Sequence, residues 1–503
     1  MENIMKLILP FSILFSIAGS LAAAVTHTNS EVTTDTLNSS TKDARTYNVL
    51  TDGYVCTSFV GGAVIIGNMN ADYSNYNSLT ISNGATVNCL GGTIGEGVSF
   101  ETRGAHNTVT VTGSASRWTC QGLSVGEMGF ANTLLIKDGG TVTCDGASIG
   151  EGFSRMPDLG GSNKVIVDGQ GSSFVDSGDL TLGQFNHNNA LMIENGASAS
   201  ARLITLGMER WSCNGNHLLV TGRGSVLAAD LCVGNTGSDS SATVSDGALL
   251  EASSFVISES ASTENNQTTV TGKGSTLTIG TKLTIGGSSK GLLTLANGGI
   301  VRCDGSVALS VNGNIRLAKG YLAQVGDKRD AYAALVASGS VLVYDTATSS
   351  WKTATANDVT ITYYAEGEDQ AAETATGYTG LGGSTVMTGG SNMPESFGSA
   401  ATLANDRYDS PWFGAYWAKP ASGGYWIWHD NHGWAYLSVL SNTEAMMWDD
   451  ATQSWWYIGR DFYPYLYNYA TGSWYYYIEG VAPNREFWSY RDNARVGEAA
   501  IKP

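Results

Sequence analysis

The sequence predicts an all-β protein: a right-handed parallel β-helix of about nine coils, followed by a small aromatic antiparallel β-hairpin module. Three observations predict it. Turn glycines recur at Gly84, Gly113, Gly139, Gly169, Gly196, Gly222, Gly247, Gly272 and Gly298, at intervals of 25 to 30 residues, a period that marks a solenoid. Each repeat holds three short runs of period-two alternation, which is the signature of strands. Glycine is 63 of 503 residues and charged residues are only 14%, which suits many short strands joined by turns.

Residues 1–24 read as a secretory signal: Lys6 in a weakly charged leader, the apolar run LILPFSILFSIAG, and small residues ending at Ala24. Export is therefore expected, to the cell surface, the medium or the periplasm. No cysteine follows the run at a lipid-attachment position, and no later stretch is apolar enough to span a membrane. The net charge of -18 speaks against nucleic acid as a partner. Residues 25–76 are read as an N-terminal segment and cap.

Residues 77–315 carry the repeats, in two alternating flavours. One reads NSLTISNGATVNC, NTLLIKDGGTVTC and NALMIENGASASA; the other reads NTVTVTGSAS, NKVIVDGQGSS, NHLLVTGRGSV and NQTTVTGKGST. The first inward pairs are Leu79/Ile81, Val109/Val111, Leu134/Ile136, Val165/Val167, Leu191/Ile193, Leu218/Val220 and Thr268/Val270. The third runs end in Ile94, Val125, Ile149, Leu182, Leu206, Val233, Ile257, Ile285 and Leu309. The first run opens on Asn77, Asn107, Asn132, Asn163, Asn189, Asn216 and Asn266, and stacked asparagine amides can hydrogen-bond along a column of turns. Cys89, Cys120, Cys144 and Cys303 share a second-run column with Ala201, Ala229 and Ala252. They pack there as small residues, or neighbours such as Cys89 and Cys120 form a disulfide. Asp176 falls on an inward position, read as a local register shift in preference to a buried catalytic acid.

These units resemble the passenger repeats of autotransporter-like and other large exported bacterial proteins, over residues about 77–315 and without the C-terminal barrel of an autotransporter. The resemblance implies an extracellular β-solenoid stalk or adhesin.

Residues 316–400 lose the period and read as a C-terminal cap, with a hairpin in LVASGSVLVYDTATSSWKTA and a glycine-rich connector in GYTGLGGSTVMTGGSN. Residues 401–503 hold 10 of the 13 Trp, all between Trp412 and Tyr490. Three units align there, IWHDNHGWAYL, MWDDATQSWWYI and LYNYATGSWYYYI, each a β-hairpin with an aromatic strand on either side of a polar turn. They loosely resemble the Trp/Tyr hairpins of choline- and glucan-binding repeats, which implies a glycan or a quaternary ammonium group as ligand. Trp434, Trp455 and Trp474 follow the turns at equivalent places and, with Tyr476, are the candidate ligand-binding rings; alternatively the aromatics bury one another as a small core.

Two further features bear on function. The middle outward residue of the first run is apolar in four consecutive coils, Leu135, Ile166, Met192 and Leu219, a docking stripe about 15 to 20 Å long at strand spacing. An internal loop, the N-terminal segment, the tail folded back or an external partner is expected to cover it. Glu96, Glu127 and Glu151 follow the turn glycine of successive coils; such carboxylates splay apart or share a calcium ion, and no other cofactor is expected.

The second-run outward positions, Asn88, Thr119, Thr143, Val175, Ser200, Ala228, Glu251, Thr278 and Arg302, offer no adjacent acid and base, so a polysaccharide lyase or hydrolase is the alternative and not the leading reading. His106, His187 and His217 read as solvated turn residues, and His429 and His432 as part of a polar hairpin turn. The sequence thus points to an exported binding or scaffold protein for a glycan or envelope component, with a purely structural envelope component as the other alternative.

Overall fold

A computed structural model describes residues 78–365 and 383–501, apart from short stretches at 97–103, 153–160, 209–212, 261–262, 392–396, 398–400, 403–406, 411, 422–423, 442–443 and 461, together with strand segments at 24–28, 50–51, 55–56 and 63–66. The body of the signal segment and Asn77 lie outside the described residues.

The repeats form a parallel β-helix of about nine coils. Its first face stacks Ser78–Ser82, Thr108–Thr112, Thr133–Lys137, Lys164–Asp168, Ala190–Glu194 and His217–Thr221 in parallel register, and continues through Ser241–Ser245, Asn266–Thr271 and Gly291–Ala296. The second and third faces are separate short strands in the early coils, such as Thr141–Cys144 and Ala147–Glu151. In four middle coils they fuse into single long strands, from Ser198–Leu206 to Thr276–Ile285, and separate again as Ile300–Cys303 and Ser306–Leu309.

Burial follows the period-two pattern. Val109, Val111, Leu134, Ile136, Val165 and Val167 are all fully buried, as are Ile94, Val125 and Leu182, so one continuous apolar core runs through the solenoid. Cys120, Cys144 and Cys303 are buried in it as free thiols. Asp176 keeps its register, opposite Cys144, and is buried. The expected register shift is absent there because the carboxylate has its own partners, accepting from the backbone N–H of Gly146 at 2.7 Å and of Gly178 at 2.9 Å. Burial raises its pKa against those bonds.

The asparagine column is a hydrogen-bonded ladder. The Nδ2 of Asn107 donates to Oδ1 of Asn132, Asn132 to Asn163, Asn163 to Asn189 and Asn189 to Asn216, at 2.9 to 3.0 Å. The glycine ending the third run faces it. A Cβ on Gly126 would lie 2.2 Å from the Asn163 amide, and its φ is +80°, so both space and backbone demand glycine.

The two repeat flavours also acquire a physical reason. In the first flavour, Asn83-Gly84 and Asp138-Gly139 both have positive φ, which makes a tight turn whose N–H groups need acceptors. The second flavour supplies them: Ser116 accepts from Gly84 N, Ser172 from Gly139 N, Ser225 from Gly196 N and Ser275 from Gly247 N, at 2.9 to 3.0 Å. Alternation is a cross-coil bond between unlike turns.

Parallel stacking extends beyond the repeats at both ends. Val55–Cys56 and Ala63–Ile66 pair with the first coil, and Gly313–Ala318, Tyr321–Val325 and Val341–Asp345 continue the last. Antiparallel strands then cover the ends: Ala24–Thr28 on Ser78–Ser82, Ser350–Thr353 on Val341–Asp345, and Ser384–Gly389 between Tyr321–Val325 and Val359–Tyr364. Ser384–Gly389 lies within the stretch read as a connector, yet it is a strand. The helix Arg329–Ala337 sets Tyr332 and Val336 over the core. Among the described residues no helix is long and apolar enough to cross a membrane.

Residues 401–497 contribute an eleven-stranded antiparallel meander, from Ala401–Thr402 to Ala494–Gly497.

Candidate functional site: the aromatic sheet and its seam with the solenoid

The apolar stripe is covered by this chain's own C-terminal sheet. Met192 is 2% and Leu219 1% exposed, and with Ala190 and the partly buried Ile166 they join a single apolar cluster with Phe397, Trp412, Phe413 and Tyr416. The fully covered Met192 and Leu219 each contribute about 1.5 to 3 kcal/mol through burial. Tyr416 donates its hydroxyl to the Phe397 carbonyl at 2.7 Å, and Arg460 of the sheet reaches Glu194 of the solenoid at 3.5 Å. His217 lies on the first face and not in a solvated turn: it is buried, with Nδ1 2.8 Å from the Ser241 hydroxyl. Leu135, the fourth stripe residue, is only half-buried and sits where the seam opens.

Strict alternation builds the sheet. In Glu444–Asp449 and Ser454–Gly459 every second residue is buried, so Ile427, Leu437, Met447, Trp456, Leu466, Tyr475 and Phe487 share the inner side. The sheet curls until distant turns meet: Ala482 N donates to Asn431 O at 2.9 Å, and Trp456 stacks on Phe487 with centroids 5.6 Å apart.

A buried polar network closes the curl. Arg485, 1% exposed, donates to Asp449 at 2.5 Å, to Glu498 at 2.9 Å and to Nδ1 of His432 at 2.9 Å. Because Nδ1 of His432 accepts, its Nε2–H donates to the Tyr463 hydroxyl at 3.1 Å. His429 Nδ1 accepts from the N–H of Asn431 and His432, so its Nε2–H donates to the Phe413 carbonyl at 2.7 Å. Burial, then His429 and Arg485, hold the His432 imidazole well below its usual pKa. Burial works against the Arg485 guanidinium, yet Asp449 and Glu498 keep it above its usual value. The hairpin-turn reading of these histidines is corrected in one respect: they are fully buried, His432 in bonds to Tyr463 and Arg485 far along the chain.

The outer side of the sheet is aromatic. Trp434 is 54% and Trp474 38% exposed, while Trp455 and Tyr476 are half-buried. Each lies edge-on to a ring of the preceding strand: Trp428–Trp434 at 5.4 Å, Trp448–Trp455 at 5.7 Å, Tyr467–Trp474 at 5.4 Å and Tyr465–Tyr476 at 4.9 Å. The four candidate rings thus share one face. Sequence reasoning passed over Trp426 and Trp488, exposed on the same side; the alternation Trp426-Ile427-Trp428 was the available signal.

The carboxylates of Glu96, Glu127 and Glu151 occupy equivalent positions on adjacent strands, and Glu151 accepts from the Ser148 hydroxyl at 2.9 Å. Burial first, then Glu151 and Glu96, push the Glu127 carboxyl up to about 7. A raised folded-state pKa gives stability that is fully present below the unfolded value and lost as pH rises through 7. Glu127→Gln is therefore expected to stabilise the protein above pH 7, by about 1 kcal/mol after solvent screening, and to change nothing near pH 4; melting curves at both pH values check this. The same curves read calcium sharing: millimolar calcium raises the transition of the wild type more than that of the Glu127→Gln variant only if the carboxylates bind it. Among the described residues no group of three or more His, Cys, Asp or Glu side chains is arranged to hold a metal ion.

No protein-family model matches the chain, and a search of curated proteins finds no match. What the geometry defines is a β-solenoid with an aromatic sheet seated on one face.

Proposed function

We propose that this chain is an exported cell-surface or extracellular scaffold that binds glycan through the outer rings of its C-terminal sheet. The solenoid serves as a rigid stalk, in the manner of autotransporter-like passengers. The observation that carries this reading is the exposed row including Trp426, Trp428, Trp434, Trp474 and Trp488. The inner side already supplies the core and the docking contacts, so the outer rings are surplus to folding, and flat aromatic faces suit sugar rings. The secretory signal read in residues 1–24 and the resemblance of the hairpins to glucan-binding repeats agree with it.

The test is a glycan-array screen of the mature chain beside a Trp434→Ala/Trp474→Ala variant. The expected result is glycan binding by the wild type and a loss of at least about tenfold in the variant, whose melting temperature stays close to wild type. If the wild type ignores every glycan, the sheet is a structural cap and the chain a structural envelope component.

A further inference from the structure

A cleft of 1870 Å³ opens between the first face of the solenoid and the near edge of the aromatic sheet, where Tyr476 and Trp488 end the outer aromatic row. It exceeds the roughly 300 to 1,000 Å³ of small-molecule sites, so its dimensions suit an extended ligand. The floor is hydroxylated, with Thr108 and Thr133 side by side on adjacent coils next to Leu135, and the wall is aromatic, with Tyr463, Tyr476 and Trp488.

The lining carries both signs, Asp168 and Asp239 among them, so what fits is set by which cation lacks a partner. Arg407 in this cleft is paired with Asp430 at 3.0 Å, Arg460 with Glu194 at 3.5 Å, and Arg495 with Glu486. Lys137 has Asp138 at 3.9 Å. Lys164 lines the same cleft half-buried, and among the described residues no carboxylate lies within ion-pair distance of its ammonium group. Burial lowers its pKa. A half-buried ammonium without a counter-charge is a place where an entering anion gains a partner.

We propose that this cleft is a second ligand site, taking a segment of acidic polysaccharide whose uronate carboxylate pairs with Lys164 while neighbouring sugar rings lie between the threonine floor and the aromatic wall. The hydroxylated floor and facing rings favour a saccharide over an acidic peptide, which offers carboxylates but no rings to stack. The cleft shares Tyr476 and Trp488 with the outer row but not Trp434 or Trp474, so the Lys164 variants and the Trp434 variant report on the two sites separately.

The experiment is a calorimetric titration of the full mature chain with oligogalacturonate, a neutral malto-oligosaccharide and poly-glutamate. Variants are Lys164→Gln, Lys164→Arg and Trp434→Ala. Oligogalacturonate is expected to bind, with poly-glutamate and the neutral sugar much weaker. Lys164→Gln lowers the affinity at least about tenfold, Lys164→Arg largely restores it, and Trp434→Ala leaves it unchanged. Lys164→Gln removes a penalised charge and keeps the fold, which its melting curve verifies. No binding of oligogalacturonate, equal binding of poly-glutamate, or an unaffected Lys164→Gln variant would each overturn the proposal.

Discussion

Ile136→Asp is expected to abolish cooperative folding of the solenoid, whereas Thr143→Asp leaves its transition nearly in place. Ile136 is fully buried between Val111 and Val167 of the adjacent coils, so a carboxylate there is desolvated with no partner. That costs several kcal/mol, a large share of the roughly 5 to 15 kcal/mol by which domains are stable. The damage spreads, because each coil is held only by its two neighbours. Thr143 sits in the same coil but points outward, stacked between Thr119 and Val175, and an aspartate there remains solvated. Urea unfolding followed by circular dichroism separates the two. Equal destabilisation would mean that the inward and outward columns are wrongly assigned.

Removing the Arg485 guanidinium is expected to unfold the aromatic sheet while the solenoid survives. Arg485→Met fills much of the same volume but strands the Asp449 and Glu498 carboxylates, both about 1% exposed. Breaking a buried charge network on one side costs about 3 to 5 kcal/mol. It also releases His432 and Tyr463, so the curl that brings Asn431 to Ala482 is lost. Tryptophan fluorescence should report an early transition of the sheet, with the β-sheet circular dichroism of the solenoid retained to higher urea. The loss should be smaller at pH 5 than at pH 8, since burial already raises the Asp449 carboxyl against the pull of Arg485 and protonation neutralises it more readily. A single unchanged transition would remove the network from the account.

How much of this was legible depends on whether the cause is local. The inward columns were, because a strand buried on one face must alternate, and Val109-Thr110-Val111 shows it within three residues. The asparagine ladder was also legible, as it needs one residue type at one place in each coil. The coil formed by Val55–Cys56 and Ala63–Ile66 was passed over although its signal is there: Asp52-Gly53 stands where Asn83-Gly84 does in the next coil, and Gly67 follows Ile66 as Gly95 follows Ile94. The stripe announced that something covers it, yet the covering residues Phe397, Trp412 and Phe413 lie some 200 positions downstream with no periodic relation to it. His432 read as a turn residue because its partner Arg485 is 53 residues away. Asp176 looked like a slip because the turn N–H groups it caps cannot be seen in an alternation pattern.

The seating of the aromatic sheet on the solenoid is the central claim, since it both frees the outer rings and creates the cleft. Oxidative footprinting of methionines in the full chain tests it most directly. Met192 points outward from the first face and is 2% exposed under the seated C-terminal residues, whereas Met208 on the same solenoid is 42% exposed. Brief hydroxyl-radical treatment and peptide mass spectrometry should find Met208 converted to the sulfoxide and Met192 largely protected. Oxidation of Met192 at the rate of Met208 would contradict the account, because the stripe would then stand open to solvent.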